Sequence, residues 1–239
     1  MIPWGISHRH DGRTRERHKF KDFCWSLAAG LVNCPLMYRS LMLLFTPMTG
    51  WQKIANQSWH VLVVFLFSIG PIMVASCAVE GWAMLNFGAG KGPFGNLIEL
   101  EPSRILSYEI LQLVLGVILL FAGGKFVQWV CGGFQTEATY RQSFTLTAYG
   151  LTPVFWLRFL DGLPAIPTWI CWALAAIGIM VVLYHGVALI LQPSTSIGFG
   201  LYLVSSASLV TLSGITHFVA TGILTERFDL PAFLQMAQL

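Results

Sequence analysis

The sequence is short of charge. Only 10% of its 239 residues are Asp, Glu, Lys or Arg, while 55% are hydrophobic. Soluble domains carry roughly 25% charged residues, so a water-exposed globule of this composition is excluded. Intrinsic disorder is excluded too, because it needs low hydrophobicity and high net charge. Paired cysteines are also missing. Cys24, Cys34, Cys77, Cys131 and Cys171 form no C-x-x-C pair, which argues against a zinc site or a disulfide framework. Nucleophile elbows, His-Glu-x-x-His motifs and dinucleotide fingerprints are absent. Gly88-Ala-Gly90-Lys91-Gly92 looks like a phosphate loop, but Gly92 stands where Ser or Thr is required. The composition points to an all-α, polytopic membrane protein, and nothing in it points to an enzyme, a metal or a cofactor.

What is abundant is long apolar sequence. Segments 59–85, 107–131, 143–161, 168–191 and 197–223 each approach the roughly 20 residues needed to cross a bilayer as a helix. Backbone groups in lipid must pair within the segment, so helices are expected. The third contains Gly150, Pro153 and Arg158 and is expected to kink at the proline. Before these spans, Phe20, Phe23, Cys24, Leu27 and Leu31 recur at helical spacing behind a basic leader, an N-terminal interfacial amphipathic helix by pattern. An extra span over 23–45 is the alternative, and Pro35 and Arg39 argue against it. The expected organisation is a basic arm and interfacial segment over 1–58, a five-helix domain over 59–223 and a short amphipathic tail over 224–239.

Charge placement suggests an orientation. Of 14 Lys and Arg, eight precede residue 60, and cytoplasmic flanks carry such excess. A basic arm beside membrane spans faces anionic lipid rather than nucleic acid. The N-terminus is therefore expected in the cytoplasm and, with five spans, the C-terminus outside, in a bacterial inner membrane. Trp51, Trp59 and Trp129 should mark the inner boundary, and Trp82, Trp156, Trp169 and Trp172 the outer one.

Ionisable groups within spans are the places to look for function. Counting depth at about 1.5 Å per residue sorts them into two sets. Lys125, Tyr149, Tyr184 and His185 share the inner level and form a candidate polar groove. Glu80, Glu109, Arg158 and Asp161 share the outer level, with His217 nearby, and form a candidate ion-pair cluster. Arg158 and Asp161 stand three apart on one helix, where a local pair is cheap. The fifth segment is rich in small and polar residues, among them Ser205, Ser206, Ala207, Thr211 and Ser213. Such residues mark helix contacts, either at the centre of the bundle or with another protein or a second copy.

Four stretches resemble the Yip1 family, particularly its bacterial branch. They are Pro47-Met-Thr-Gly-Trp51-Gln-Lys-Ile54-Ala55, Gly70-Pro71-Ile, Thr147-Ala148-Tyr149-Gly-Leu-Thr152-Pro153 and Leu183-Tyr184-His185-Gly186-Val187. The likeness covers about residues 45–223. It implies a five-helix membrane domain with a cytoplasmic N-terminus, and no catalytic residues. Eukaryotic relatives act in vesicle traffic and bind small GTPases. The expected function is a non-enzymatic membrane protein that organises or accompanies other membrane components, such as an accessory subunit. Its partners would be lipids and other integral membrane proteins, or itself through the fifth helix. The alternative is a transporter or lipid-handling protein using the inner groove.

Overall fold

The computed structural model describes residues 35–57, 59–87, 102–161, 166–194 and 196–224, and these contain helices and no strand. Two short helices come first: α1, Pro35–Phe45, and α2, Pro47–Ala55. α3, Val61–Val64, passes through a π turn, Phe65–Ile69, into α4, Gly70–Phe87. α5 is Pro102–Gly133, α6 is Tyr140–Gly150 and α7 is Thr152–Asp161. α8, Thr168–Gly186, ends in a second π turn, Val187–Leu191, and α9 is Gly198–Leu224. The amphipathic segment expected over 20–34, the glycine loop 88–95 and most of the tail 224–239 lie outside the described residues.

Among the described residues, four helical runs are long and apolar enough to cross a membrane: Val61–Asn86, Pro102–Gly133, Thr168–Leu191 and Gly198–Gly222. Between 28% and 44% of each apolar window is buried inside the protein. Large apolar side chains such as Leu66, Val74, Ile110, Ile118, Ile177 and Ile215 point outward instead. In water this would be costly, whereas against lipid tails it costs nothing. The chain is thus an integral membrane protein by the length and composition of these helices.

Where a third continuous span is expected over 143–161, the chain forms two helices. α6 and α7, of 11 and 10 residues, are each too short to cross alone. The cause is Pro153, which has no N–H and would drive its ring into the Tyr149 carbonyl of an unbroken helix. Thr152 repairs the loss: its hydroxyl donates to the Tyr149 carbonyl at 2.5 Å. Pro71 is handled differently. The π turn just before it absorbs the missing bond, and the Gly70 N–H reaches back to the Phe65 carbonyl. The start of α6 is closed by a reciprocal cap, Thr139 with Gln142.

The core lies where α2, α4, α5, α6 and α8 converge, around Trp51, Ile69, Leu120, Phe144, Tyr149 and Leu183. Trp51 is the largest side chain in it and is 0% exposed. Its indole N–H donates to the Val182 carbonyl at 2.7 Å, and the Tyr149 ring meets it edge-on at 6.1 Å. It rests on Gly186, where a Cβ would stand 2.6 Å from the indole Cζ2. Trp51 is therefore not an interfacial anchor, as its amphipathic ring suggests, but a wedge in the core. α2 turns it inward, and a carbonyl of α8 satisfies the N–H that interface water would otherwise take. Trp59 and Trp129 keep exposed positions, at 41% and 73%. Leu43, Trp51 and Ile54 are all buried, so α1 and α2 pack into the core.

Trp51→Ala removes the wedge and strands the Val182 contact. A loss of about 3–5 kcal/mol is expected, read as a large fall in the unfolding midpoint in neutral detergent. Gly186→Leu should act in the same direction, because its side chain competes with the indole for one space.

Candidate functional site

α5 buries Ile105, Tyr108, Glu109, Gln112 and Gly116. Their spacing is that of one helical face, and three of the five are polar. This face meets α4, which presents Glu80, and α7, which presents Arg158. α4 can approach α5 closely at Gly81, where an added Cβ would stand 3.1 Å from Glu109 Cγ. α7 begins directly after the break at Leu151.

Arg158 sits at the centre of the resulting network. Its Nε donates to Glu80 Oε2 at 2.6 Å. Its Nη2 donates to Glu109 Oε2 at 3.3 Å and also to Gln112 Oε1. Tyr108 closes the other side, its hydroxyl donating to Glu80 Oε1 at 3.3 Å. Glu80 is fully buried, and the side chains of Arg158 and Glu109 are each 10% exposed. Two carboxyls thus share one guanidinium away from solvent. Glu80 and Glu109 lie only about 9–11 Å along their helices from Asn86 and Pro102, so the network sits near one end of the bundle.

Of the outer set, Glu80, Glu109 and Arg158 come together. Asp161 does not join them through Arg158, although it stands one turn away on α7. The guanidinium points across the bundle instead, where two carboxyls and an amide receive it. One carboxyl oxygen of Asp161, Oδ1, is buried without a hydrogen bond. Asp161 lines a small cleft of about 70 Å3 together with Gln112, Arg158, Cys171, Ser213 and His217. His217 faces Thr221 on its own helix at 3.5 Å.

The inner set is dispersed. Lys125 is exposed, donates to Gln128 Oε1 at 2.9 Å and lies 5.9 Å from the Tyr140 ring. Tyr149 is buried against Trp51, with Ser68 as a side-chain partner. Tyr184 is 57% exposed and stacks edge-on with His185 and Tyr202. Equal depth along the helices therefore does not become a common groove. Among the described residues, no three His, Cys, Asp or Glu side chains gather as metal ligands would.

Tyr108 and Gln112 belong to the network and do not stand out among the candidates at the sequence level. Their signal is a periodic one. In a mostly apolar helix, Tyr108, Glu109 and Gln112 fall on a single face, and a polar stripe in a span has to find partners inside the protein.

Arg158→Met leaves two buried carboxyls without a counter-charge, and breaking a buried pair from one side costs about 3–5 kcal/mol. The expected result is a sharp drop in thermal stability in neutral detergent. Arg158→Met combined with Glu80→Gln and Glu109→Gln should recover most of that loss, because an uncharged set needs no partner. An unchanged midpoint in the single variant would show that the network carries no stability.

The chain matches no family model, no curated protein and no solved structure.

Proposed function

We propose that this chain is a non-enzymatic integral membrane protein that organises or accompanies other membrane proteins, as an accessory subunit or by self-association. One observation carries the reading. α9 has the least buried apolar window of the four long helices, 28% against 39–44% for the others. Its small residues are divided. Ser205, Ser206 and Ser213 turn inward and are buried. Ala207 and Thr211 turn outward on the same stripe as Leu203, Val204, Ile215 and Phe218. An outward stripe with a small centre between large flanks suits close approach of a further helix.

The reading also takes α6 and α7 together as a fifth, broken crossing. Over 140–161 they would rise about 33 Å at 1.5 Å per residue, comparable with a bilayer core. Gln128 Nε2 donates to the Ala138 carbonyl at 3.3 Å just before α6, and Arg158 of α7 reaches Glu109; these two points of α5 stand about 28 Å apart along its axis, which supports a crossing. Broken helices are tolerated in membranes where protein surrounds them. Five crossings put the termini on opposite sides. The basic N-terminal region then lies in the cytoplasm, the C-terminus outside, and the membrane is a bacterial inner membrane. The likeness to the Yip1 family is kept as the frame for this layout. Trp51 packs on both Tyr149 and Gly186, the three coming from three of its four stretches, which supports treating those stretches as one unit.

The test is the native mass of the protein extracted in mild detergent. An assembly larger than one copy is expected, through self-association or a co-purifying membrane protein. Ala207→Trp and Thr211→Trp should shift it to the monomer while leaving the unfolding midpoint nearly unchanged. A wild-type monomer without a co-purifying partner would overturn the reading.

A further inference from the structure

A groove of about 380 Å3 runs between α4 and α5. That volume lies within the roughly 300–1,000 Å3 of small-molecule sites. Its rim includes Leu85, Leu106 and Ile110, which are 55%, 62% and 54% exposed. These residues stand on helices long and apolar enough to span the membrane, so the groove opens sideways, toward lipid. Its walls are apolar apart from one carboxyl, that of Glu109, and no Lys, Arg or His is among the described residues that line it.

Glu109 uses its two oxygens differently. Oε2 is held by Arg158. Oε1 is buried and has no hydrogen bond, and the polar neighbour beside the carboxyl is the Cys77 thiol, a weak donor. An unmet carboxylate oxygen in an apolar setting costs free energy. The network also has one guanidinium for two carboxyls, a formal surplus of one negative charge when both are ionised. Trp82 borders the same groove, and an indole face attracts ammonium groups. An anionic headgroup would find a carboxylate and no cation there.

From this juxtaposition we infer that the α4–α5 groove binds a cationic amphiphile from the bilayer, an alkyl ammonium with its head at Glu109 Oε1. The hydrocarbon part lies along Ala78, Trp82, Leu85, Leu106 and Ile110. The head supplies the charge that Arg158 alone does not, and the tail covers wall surface continuous with the lipid.

The test titrates the purified full chain in neutral maltoside detergent with decyltrimethylammonium, read by native mass spectrometry and calorimetry. Decyl sulfate serves as the anionic control. Wild type should bind one cation saturably and should not bind the sulfate in the same way. Glu109→Gln should weaken the cation by about tenfold or more, the scale of a hydrogen bond to a charged group. Should Glu109→Gln fail to fold, Ala78→Phe fills the groove without touching the charge network, and it should weaken binding too. Tyr184→Phe, away from the groove, should bind as wild type does. No saturable binding, equal uptake of the sulfate, or cation affinity unchanged in Ala78→Phe and in any folded Glu109→Gln would each overturn the proposal.

Discussion

A guanidinium buried between two carboxyls can exist only if the helices carrying them are held in one arrangement. Removing these charges from water is expensive, and their attraction offsets the cost only when the geometry is good and the remaining donors are met. Arg158 satisfies this with Glu80, Glu109 and Gln112, drawn from two other helices. The consequence falls on α7, whose Pro153 and Phe155 are buried and whose Val154, Trp156 and Phe159 pack against the core. The ionic tie to α4 and α5 adds to this apolar packing.

The other end of the bundle is held by a different device. Trp51 enters from α2 and fills the space left by Gly186 on α8, with Tyr149 of α6 against its edge. This clamp is apolar packing finished by one hydrogen bond to Val182. Lipid supplies no hydrophobic drive between helices, so each end needs a specific contact to select one packing. The two clamps act on the two halves of the broken segment. Tyr149 belongs to α6 and Arg158 to α7, with the break at Leu151 between them.

Apolar length and the proline made the helical runs and the position of the break readable from the sequence, since both depend on local chemistry. The ends were less so. α5 starts at Pro102, five residues before its apolar run, because a proline suits the first helical turn. Trp51 was ambiguous for a physical reason: an indole suits a membrane interface and a core with a spare carbonyl equally well, and only the path of α2 decides. Depth counting brought Glu80, Glu109 and Arg158 to one level, and there the level was enough, because buried charges seek each other. For Lys125, Tyr149 and Tyr184 the level was not enough. Depth fixes height along a helix but not the direction around it, so Tyr149 turns into the core while Lys125 and Tyr184 turn out. Asp161 shows the converse. Proximity in sequence favours a local pair with Arg158, but two carboxyls across the bundle offer the guanidinium more.

Glu109 joins the structural and the functional sides of this arrangement. As a structural group it would be better served by a second donor, and Gln112 occupies the guanidinium instead of relieving it. An apolar residue at position 109 would remove the surplus charge and the unmet oxygen together, leaving Glu80 and Arg158 as a one-to-one pair. For the fold, the carboxyl supplies one contact, 3.3 Å to Arg158 Nη2. A site that must receive a cation gives it a further reason, because it has to keep a charge unsatisfied until the ligand arrives. Incomplete satisfaction of this kind is what a binding site looks like before it is filled, and Arg158 limits its cost by holding the carboxyl through one oxygen while the other stays without a donor.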